Sequence, residues 1–260
     1  MSFQHMFFTY TSPSFSSSRT VLHHTEEHHL LELFFDRLEQ GVFVDIGGNI
    51  PSNAVSKPFH DRGWTGVLVE PIPDNAALFR ASGWAKVEEV AVTSPEKSSA
   101  GSKELFLAGG NHNPHSSLEI NQIDPNSLHT QDTIVVKLET LQRICAKHEI
   151  KQIHLLSIDT EGTELDVLKG IDFETVQVDL ILCEDWQRDS SIHRYLITHG
   201  FQIILRTGFN SWYVPKSIKT DMSLIGRLKL LKKIYISSHI KRLRHWLSLR
   251  KKIDFQSEYS

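Results

Sequence analysis

Short apolar runs alternate with amphipathic stretches over most of the chain. The first run, Val42–Ile46, is β-branched and nearly continuously apolar, as in a strand buried on both faces. Further strands are predicted at residues 67–70, 86–92, 133–137, 153–158 and 178–183, with a closing antiparallel pair at 201–205 and 211–214. Helices are predicted at residues 25–38, 52–62, 73–82, 139–147, 163–168 and 189–198. This alternation predicts an α/β domain with a mostly parallel sheet and helices on both faces.

One long segment interrupts this alternation. Residues 94–132 are polar, show little periodicity and include the run from Gly109 to Ser117. In a compact domain such a stretch is typical of a lid or a binding loop. We therefore divide the chain into an N-terminal extension with a helix at 1–40, a main domain at 41–216 and a tail at 217–260. Residues 1–20, rich in Ser, Thr and Phe, are expected to be loosely ordered.

The composition is that of an ordinary globular protein. Among its 260 residues, 40% are hydrophobic and 23% are charged, which argues against disorder. Cys145 and Cys183 fall in a predicted helix and a predicted strand, so we expect free thiols and a reducing compartment. No run approaches the roughly 18 apolar residues of a membrane span, and no secretion signal opens the chain, so a cytoplasmic location is expected.

Charge is distributed unevenly along the chain. Residues 222–253 carry ten Lys or Arg and no acid, so the net charge of −3 leaves −13 for the rest. Leucines and isoleucines recur near helical spacing between these basic residues, which predicts a basic amphipathic tail. Such a tail suits an anionic membrane surface or a lipid-linked glycan, and it could also dock on the acidic body of the protein. Nucleic acid is disfavoured, because no recognition motif is present.

Four predicted strands end at an acid: Asp45, Glu70, Asp159 and Glu184. The carboxyl ends of parallel strands share one edge of a sheet, and ligands bind at that edge. The pattern therefore predicts a single acidic crevice. Glu70 lies 25 residues after Asp45, close to the spacing at which nucleotide-binding folds place an acid on ribose hydroxyls.

The loop after the first strand narrows the choice of cofactor. Gly47 and Gly48 allow a sharp turn and close approach of a bulky ligand, and Pro51 is expected in the first turn of the next helix. The loop lacks the G-x-G-x-x-G spacing, which weakens an NAD site, and the chain has no phosphate-binding G-x-x-x-x-G-K-[ST] loop. A positively charged sulfonium cofactor without phosphates, S-adenosylmethionine, suits an acidic edge better.

Two sequence blocks resemble the FkbM-type S-adenosylmethionine-dependent methyltransferases. The first joins VFVDIGGN at residues 42–49 to VLVEP at residues 67–71, and the second is HLLSIDTEGTELDVLKG at residues 154–170. The resemblance covers roughly residues 42–215, with departures at Pro51, where glycine is common, and at Ser157, where lysine is usual. It implies a class I methyltransferase (Rossmann-like) sheet of seven strands, mostly parallel with one antiparallel edge strand. It also implies methyl transfer to an oxygen, often on a sugar or a polyketide.

The same resemblance assigns a cofactor site. The residues that it implies are Asp45, Gly47, Gly48, Asn49, Glu70, Pro71 and Ala91. Asp45, Gly47 and Asn49 would line the methionine and ribose portions. Glu70 would accept the ribose hydroxyls, and Ala91 would lie near the adenine.

Transfer to a hydroxyl also needs a group that removes its proton. Asp159, at the end of its strand, is the first candidate base, and Glu161 either contacts the substrate or interacts with a helix N-terminus. His112 and His115 in the long segment are alternatives.

A magnesium ion held by Asp159, Glu184 and Asp185 is a further hypothesis, to which we do not commit. Trp186 would either stack on a sugar ring or cover the core.

The resulting interpretation is an O-methyltransferase for a sugar, glycan or other small-molecule acceptor. Two alternatives stay open. One is an NAD-type oxidoreductase, and the other is a non-catalytic relative that attaches to a membrane or a partner through its tail.

Overall fold

The structure is a computed structural model that describes residues 24–109, 112–120, 132–185, 190–219 and 224–237. The predicted extension at residues 1–20, Trp186, and parts of the long segment and the basic tail lie outside the described residues. The strands are β1 Val42–Ile46, β2 Thr65–Val69, β3 Val87–Glu88, β4 Ala91–Val92, β5 Ser102–Phe106, β6 Thr133–Glu139, β7 Gln152–Ile158, β8 Gln177–Glu184, β9 Phe201–Thr207 and β10 Asn210–Pro215. The helices are α1 His24–Phe34, α2 Lys57–Asp61, α3 Pro73–Ala81, α4 Pro95–Ser98, α5 Leu141–Lys147, α6 Glu164–Lys169, α7 Ser191–Thr198 and α8 Leu224–Leu231, followed by a π-helical turn, Lys232–Ser237.

A large mixed sheet forms the centre of the domain. Its seven strands lie in the order β3-β2-β1-β7-β8-β10-β9, and all strand pairs from β3 to β8 are parallel. Strand β10 is antiparallel to both β8 and β9. The antiparallel strand is thus confirmed, but its predicted position at the edge is wrong. β10 needs a neighbour on each side because its central residues Trp212, Tyr213 and Val214 are fully buried, and β9 takes the edge instead.

The predicted third strand is split between two sheets. Val87–Glu88 pairs with β2 in the large sheet, whereas Ala91–Val92 pairs with β6 in a second, three-stranded sheet of order β4-β6-β5. Strand β5 and helix α4 fall inside the segment predicted to be irregular, which corrects that prediction. The error has a simple cause, because β5 is half exposed and polar in sequence. The small sheet closes one side of the crevice described below.

The chain after β1 also differs from the prediction. Helix α2 covers only Lys57–Asp61, and Pro51 lies in a turn rather than in the first turn of a helix. The pyrrolidine of Pro58 occupies that helical position instead. Residues 47–56 therefore form a longer loop over the sheet edge than the sequence indicated.

Two apolar layers cover the two faces of the large sheet. Successive β1 residues point to opposite layers, so that Val44 packs with α5, α6 and α7, and Phe43 packs with α1, α2 and α3. Cys145 on α5 and Cys183 on β8 are buried free thiols, as predicted. No helix in the described parts of the chain has both the length and the apolarity that a bilayer crossing requires.

Helix α1 is fixed to the sheet by one buried acid. The Glu27 carboxylate accepts hydrogen bonds from Thr207 Oγ1 and from Asn210 Nδ2, the latter at 2.8 Å. Thr207 Oγ1 in turn accepts a hydrogen bond of 2.8 Å from the Trp212 indole. The extension helix is therefore bound to the β9–β10 hairpin by a polar network.

We expect Glu27→Ala to lower the free energy of unfolding by about 2 kcal/mol, because it leaves the buried Thr207 hydroxyl and the half-buried Asn210 amide without their acceptor. The matched control is His29→Ala on the same helix, where the side chain is exposed and the change should stay within about 0.5 kcal/mol. Urea unfolding followed by circular dichroism measures both. Equal stability of the two variants would show that α1 does not depend on this network.

Candidate active site

An open cleft lies at the carboxyl edge of β1, β2 and β7. The space within it, counted together with the open solvent at its mouth, is about 550 Å³. One side is formed by the loops after these three strands. The opposite side is formed by the small sheet and by residues 112–120. The lining residues are Ile46, Gly47, Asn49, Val69, Glu70, Pro71, Ile72, Val90, Ala91, Val92, Leu105, Asn113, Pro114, Ser116, Leu118, Asp159, Thr160, Glu161 and Thr163.

The loop after β1 crosses the sheet edge at Gly47. Its φ is +85°, and a Cβ at this position would overlap the carbonyl oxygen of Asp159. The amide of Gly47 donates to Val69 O, and the amide of Asp159 donates to Ile46 O, each at 2.9 Å. Only glycine allows the two strand-end loops to pass this closely.

The Glu70 carboxylate binds the next part of this loop by hydrogen bonds from backbone amides. The Asn49 amide donates to Glu70 Oε2 and the Ile72 amide donates to Glu70 Oε1, each at 2.9 Å. Burial raises the pKa of Glu70 to about 7, although these hydrogen bonds oppose the shift. The Asn75 side chain is a third donor, which leaves this carboxylate capacity for a further donor from a ligand.

Asp45 lies beneath the loop rather than in the cleft lining. Its Oδ2 accepts hydrogen bonds from the Ser56 amide at 2.9 Å and from Ser56 Oγ at 2.5 Å. Burial raises the pKa of the Asp45 carboxyl, and hydrogen bonds from Ser56 and Ser157 oppose that shift. Asp45 thus anchors the far end of the loop 47–56 to the sheet.

The loop after β7 is held by Glu164, a residue whose role the sequence analysis missed. Its Oε1 accepts from the Gly162 amide at 2.8 Å, from the Thr160 amide at 3.2 Å and from Thr160 Oγ1 at 3.3 Å. These bonds turn the chain so that Glu161, with a φ of +54°, projects at the cleft. The block DTEGTE at residues 159–164 is therefore a self-contained loop that presents two acids.

Asp159, Glu161 and Glu184 form an acidic cluster, with one oxygen of each within 4.8 Å of the others. Asp159 is open to the cleft but surrounded by protein atoms, and this desolvation raises its pKa well above the usual range. The charges of Glu184 and Glu161 raise the pKa further, and a hydrogen bond joins Asp159 to Glu184. Carboxylate oxygens in this arrangement could hold a proton between them or a hard divalent cation.

The third proposed metal ligand, Asp185, does not belong to this cluster. Its Oδ2 lies 3.1 Å from Arg206 Nη1, and both side chains are buried. Arg206 Nη1 also donates to Ser211 Oγ at 2.6 Å. The structure thus groups Glu161, and not Asp185, with Asp159 and Glu184, and a magnesium ion at this position stays a hypothesis.

Residues 112–120 approach the cleft from the opposite side. The backbone carbonyl of His112 accepts from Asn49 Nδ2 at 2.9 Å and from Asn75 Nδ2 at 3.0 Å. His115 Nδ1 lies 3.0 Å from Glu161 Oε1. This segment is thus clamped to both strand-end loops, at Asn49 and at Glu161.

Left-handed backbone is concentrated in the same three loops. Among the described residues, five that are not glycine have positive φ, and four of them are Asn49, His112, Asn113 and Glu161. Such conformations cost about 1–3 kcal/mol each and cluster at functional sites. Their position supports a functional role for the cleft.

The comparison with known families agrees with this location. The family model of the methyltransferase FkbM domain matches residues 45–203, which is more than half of the chain. The chain belongs to the FkbM methyltransferase family. No match is found among curated proteins. The matched range of the FkbM domain begins at Asp45 and includes both strand-end loops and the acidic cluster.

Most residues predicted for the site of this FkbM protein lie at one place. Gly47, Asn49, Glu70, Pro71, Ala91, Asp159 and Glu161 all line the cleft. Gly48 lies behind the lining, where a Cβ would meet Leu68 and Phe79. His112 is not among the lining residues either, and it contacts Asn49 and Asn75 through its backbone carbonyl.

Sequence reasoning missed the apolar wall of the cleft. Leu105 and Leu118 belong to a small apolar cluster with Ile72 and Ala91. These residues come from four separate segments, and no local pattern in the sequence indicates that they meet.

Proposed function

We propose that the protein is an S-adenosylmethionine-dependent O-methyltransferase that acts on a hydroxyl of a sugar, a glycan or another small molecule. The observation that carries this proposal is that one cleft, lined by the Gly47 loop, contains both Glu70 and acids of the cluster formed by Asp159, Glu161 and Glu184. Family membership supports methyl transfer in general. The cofactor, the oxygen acceptor and the residue roles are our inference.

The described residues suit the proposed cofactor. Glu70 offers two carboxylate oxygens to ribose hydroxyls, and the apolar wall with Ile72, Ala91 and Leu105 offers a surface for an adenine ring. The acidic cluster favours a nearby positive charge. S-adenosylmethionine would supply the methyl group, carried on its sulfonium sulfur.

A pH dependence of cofactor binding follows from Glu70. Ribose hydroxyls donate to the ionised carboxylate, and the pKa of Glu70 in the free protein is about 7. We expect the affinity for S-adenosylhomocysteine to rise about tenfold from roughly pH 6 to roughly pH 8, because the ionised fraction of Glu70 rises through that range. Isothermal titration calorimetry measures this.

The control for that experiment is Glu70→Gln, which keeps the size of the side chain and cannot ionise. It should bind weakly and with no change between the two pH values. A Glu70→Gln protein with the same pH dependence as the wild type would assign the titration to another group.

Asp159 is the proposed general base. Its raised pKa increases its affinity for a proton, as a general base requires. The hydrogen bond to Glu184 orients the Asp159 carboxyl. The buried Glu184 carboxylate also lies close to the proton that Asp159 would accept. Asp159 would accept the proton of the acceptor hydroxyl while the cleft holds that oxygen in line for transfer.

A metal-assisted version of the reaction uses the same residues. Asp159, Glu161 and Glu184 would then orient a magnesium ion that lowers the pKa of the acceptor hydroxyl. Assays in EDTA and in added magnesium distinguish the two versions. Full activity in EDTA would show that no metal is needed and would support Asp159 as the base.

The acceptor would bind between the acidic cluster and residues 112–120. This wall mixes polar Asn113 and Ser116 with apolar Pro114 and Leu118, a combination that suits the hydroxyl edges and apolar faces of a sugar ring.

Thermal unfolding with S-adenosylhomocysteine and with NAD tests the proposal against the oxidoreductase alternative. At about 100 times its Kd, the correct cofactor should raise Tm by about 5 °C or more. Stabilisation by NAD alone, or no response to S-adenosylhomocysteine at millimolar concentration, would overturn the proposal.

Radiolabelled methyl transfer into a fractionated cell extract then separates an enzyme from a non-catalytic relative. An enzyme labels a component of the extract, and a component that carries the label on oxygen identifies the acceptor class. Binding of S-adenosylhomocysteine without transfer to any fraction would favour the non-catalytic alternative.

A further inference from the structure

The first part of the basic tail is attached to the domain by two residues of the π-helical turn. Ile234 is buried, and the Tyr235 ring meets the His193 ring of α7 edge to face, with 5.6 Å between centroids. His193 also contacts Tyr213 of β10, since its Nδ1 lies 3.3 Å from the phenol oxygen. The position of α8 is therefore set by contacts that follow it in the chain.

Three apolar side chains of α8 are exposed. Ile225 is 66% exposed, Leu228 is 56% exposed and Leu231 is 43% exposed. They follow one another at intervals of three residues, so they lie along one side of the helix. A helix that docked on its own domain through its apolar face would bury these residues, so the hypothesis that this face covers the acidic body is not supported.

Two lysines share that exposed face. Lys229 is four residues after Ile225, and Lys232 is four residues after Leu228, and both are exposed. Over residues 222–253 the sequence contains ten Lys or Arg and no acid. Aliphatic residues with interspersed lysines, whose stems can lie along apolar surface while the ammonium reaches polar groups, are typical of a helix in a bilayer interface.

We propose that the exposed face of α8 binds the surface of an anionic lipid bilayer. The aliphatic side chains would enter the boundary between headgroups and acyl chains, and the lysines would contact lipid phosphates and carboxylates. A different surface of a second copy fits this face less well. Apart from Tyr235, the other exposed large apolar residues of the described chain are Leu78, Ile120, Val135 and Phe209, which lie on four separate segments.

Cosedimentation of the full chain with lipid vesicles tests this proposal. One set of vesicles is phosphatidylcholine alone, and the other contains about 30 mol% phosphatidylserine. The protein should bind the anionic vesicles, bind the neutral ones weakly, and lose binding as salt is raised. The readout does not depend on methyl transfer, so failure of this proposal leaves the proposed enzymatic function unaffected, and the reverse also holds.

Two double variants separate the two parts of the surface. Lys229→Gln with Lys232→Gln should lower the partition coefficient by roughly 30-fold, and Ile225→Ser with Leu228→Ser should lower it by about tenfold or more. The matched controls are Lys86→Gln with Lys151→Gln, both exposed lysines elsewhere, and Val135→Ser, an exposed apolar residue on β6. Each control should stay within about twofold of the wild type.

Three results would overturn the proposal. They are the absence of binding to the anionic vesicles, equal binding to both vesicle types, and equal losses in the variants and the controls. Light scattering provides a fourth, because a stable dimer that dissociates in the Ile225→Ser, Leu228→Ser variant would assign this face to a second copy.

Discussion

Gly47→Ala is expected to lower the free energy of unfolding by about 3–5 kcal/mol and to abolish measurable binding of S-adenosylhomocysteine. The φ of +85° alone disfavours a side chain, and the added Cβ would also overlap the carbonyl oxygen of Asp159. Relief of that overlap requires the loops after β1 and β7 to separate. Because both loops line the cleft, the separation changes the site as well as the stability.

The chain provides a close control at Gly63. Its φ is also +85°, but a Cβ there would meet nothing within 4 Å. Gly63→Ala should therefore cost only the backbone strain, about 1 kcal/mol, and leave binding unchanged. Urea unfolding and calorimetric titration measure the stability and the cofactor affinity of both variants. The difference between the variants gives the effect of the overlap with Asp159. Similar losses in both would mean that the loops after β1 and β7 tolerate separation.

Asp159→Asn should reduce methyl transfer by about 10²–10⁴-fold, because the amide cannot accept the proton of the acceptor hydroxyl. Binding of S-adenosylhomocysteine should change little, since the residues proposed to hold it are supplied mainly by the loops after β1 and β2. The variant should unfold at the same or a higher urea concentration, because removing one charge relieves repulsion among Asp159, Glu161 and Glu184.

Asp74→Asn, at an exposed acid in the first turn of α3, controls for the loss of a charge in general. Single-turnover measurements at saturating cofactor compare the two variants. If Asp159→Asn retains full activity, Asp159 is neither the base nor a metal ligand. If Glu184→Gln has the larger effect, the base lies on β8.

The sequence allowed the prediction of the large sheet because its signals are local. Val42–Ile46, Gln152–Ile158 and Gln177–Glu184 are apolar runs that end at acids, and each strand forms within two residues of its predicted range. The small sheet could not be predicted in this way. Its edge strand Ser102–Phe106 is held by pairing with Thr133–Glu139, a contact between distant parts of the chain.

The site also combines features with local sequence signals and features that depend on contacts between distant parts of the chain. The acids at the strand ends meet because a parallel sheet places them on one edge, and this could be inferred from spacing. Whether Asp185 or Glu161 completes the cluster depends on Arg206, which lies 21 residues beyond Asp185 and withdraws it into a buried ion pair. The left-handed backbone of Glu161 likewise depends on hydrogen bonds made by Glu164.

The pairing of β4 with the end of β6 has a consequence for how this protein could diversify. Val92 pairs with Glu139 in parallel register, and the Thr93 amide donates to Glu139 O at 2.9 Å, so the chain leaves the domain and returns at adjacent points. A change in the length of the chain between these two points therefore need not displace the seven-stranded sheet. Under the proposed acceptor position, substitutions in residues 112–120 would change acceptor preference while the loops around Gly47 and Glu70 stay fixed.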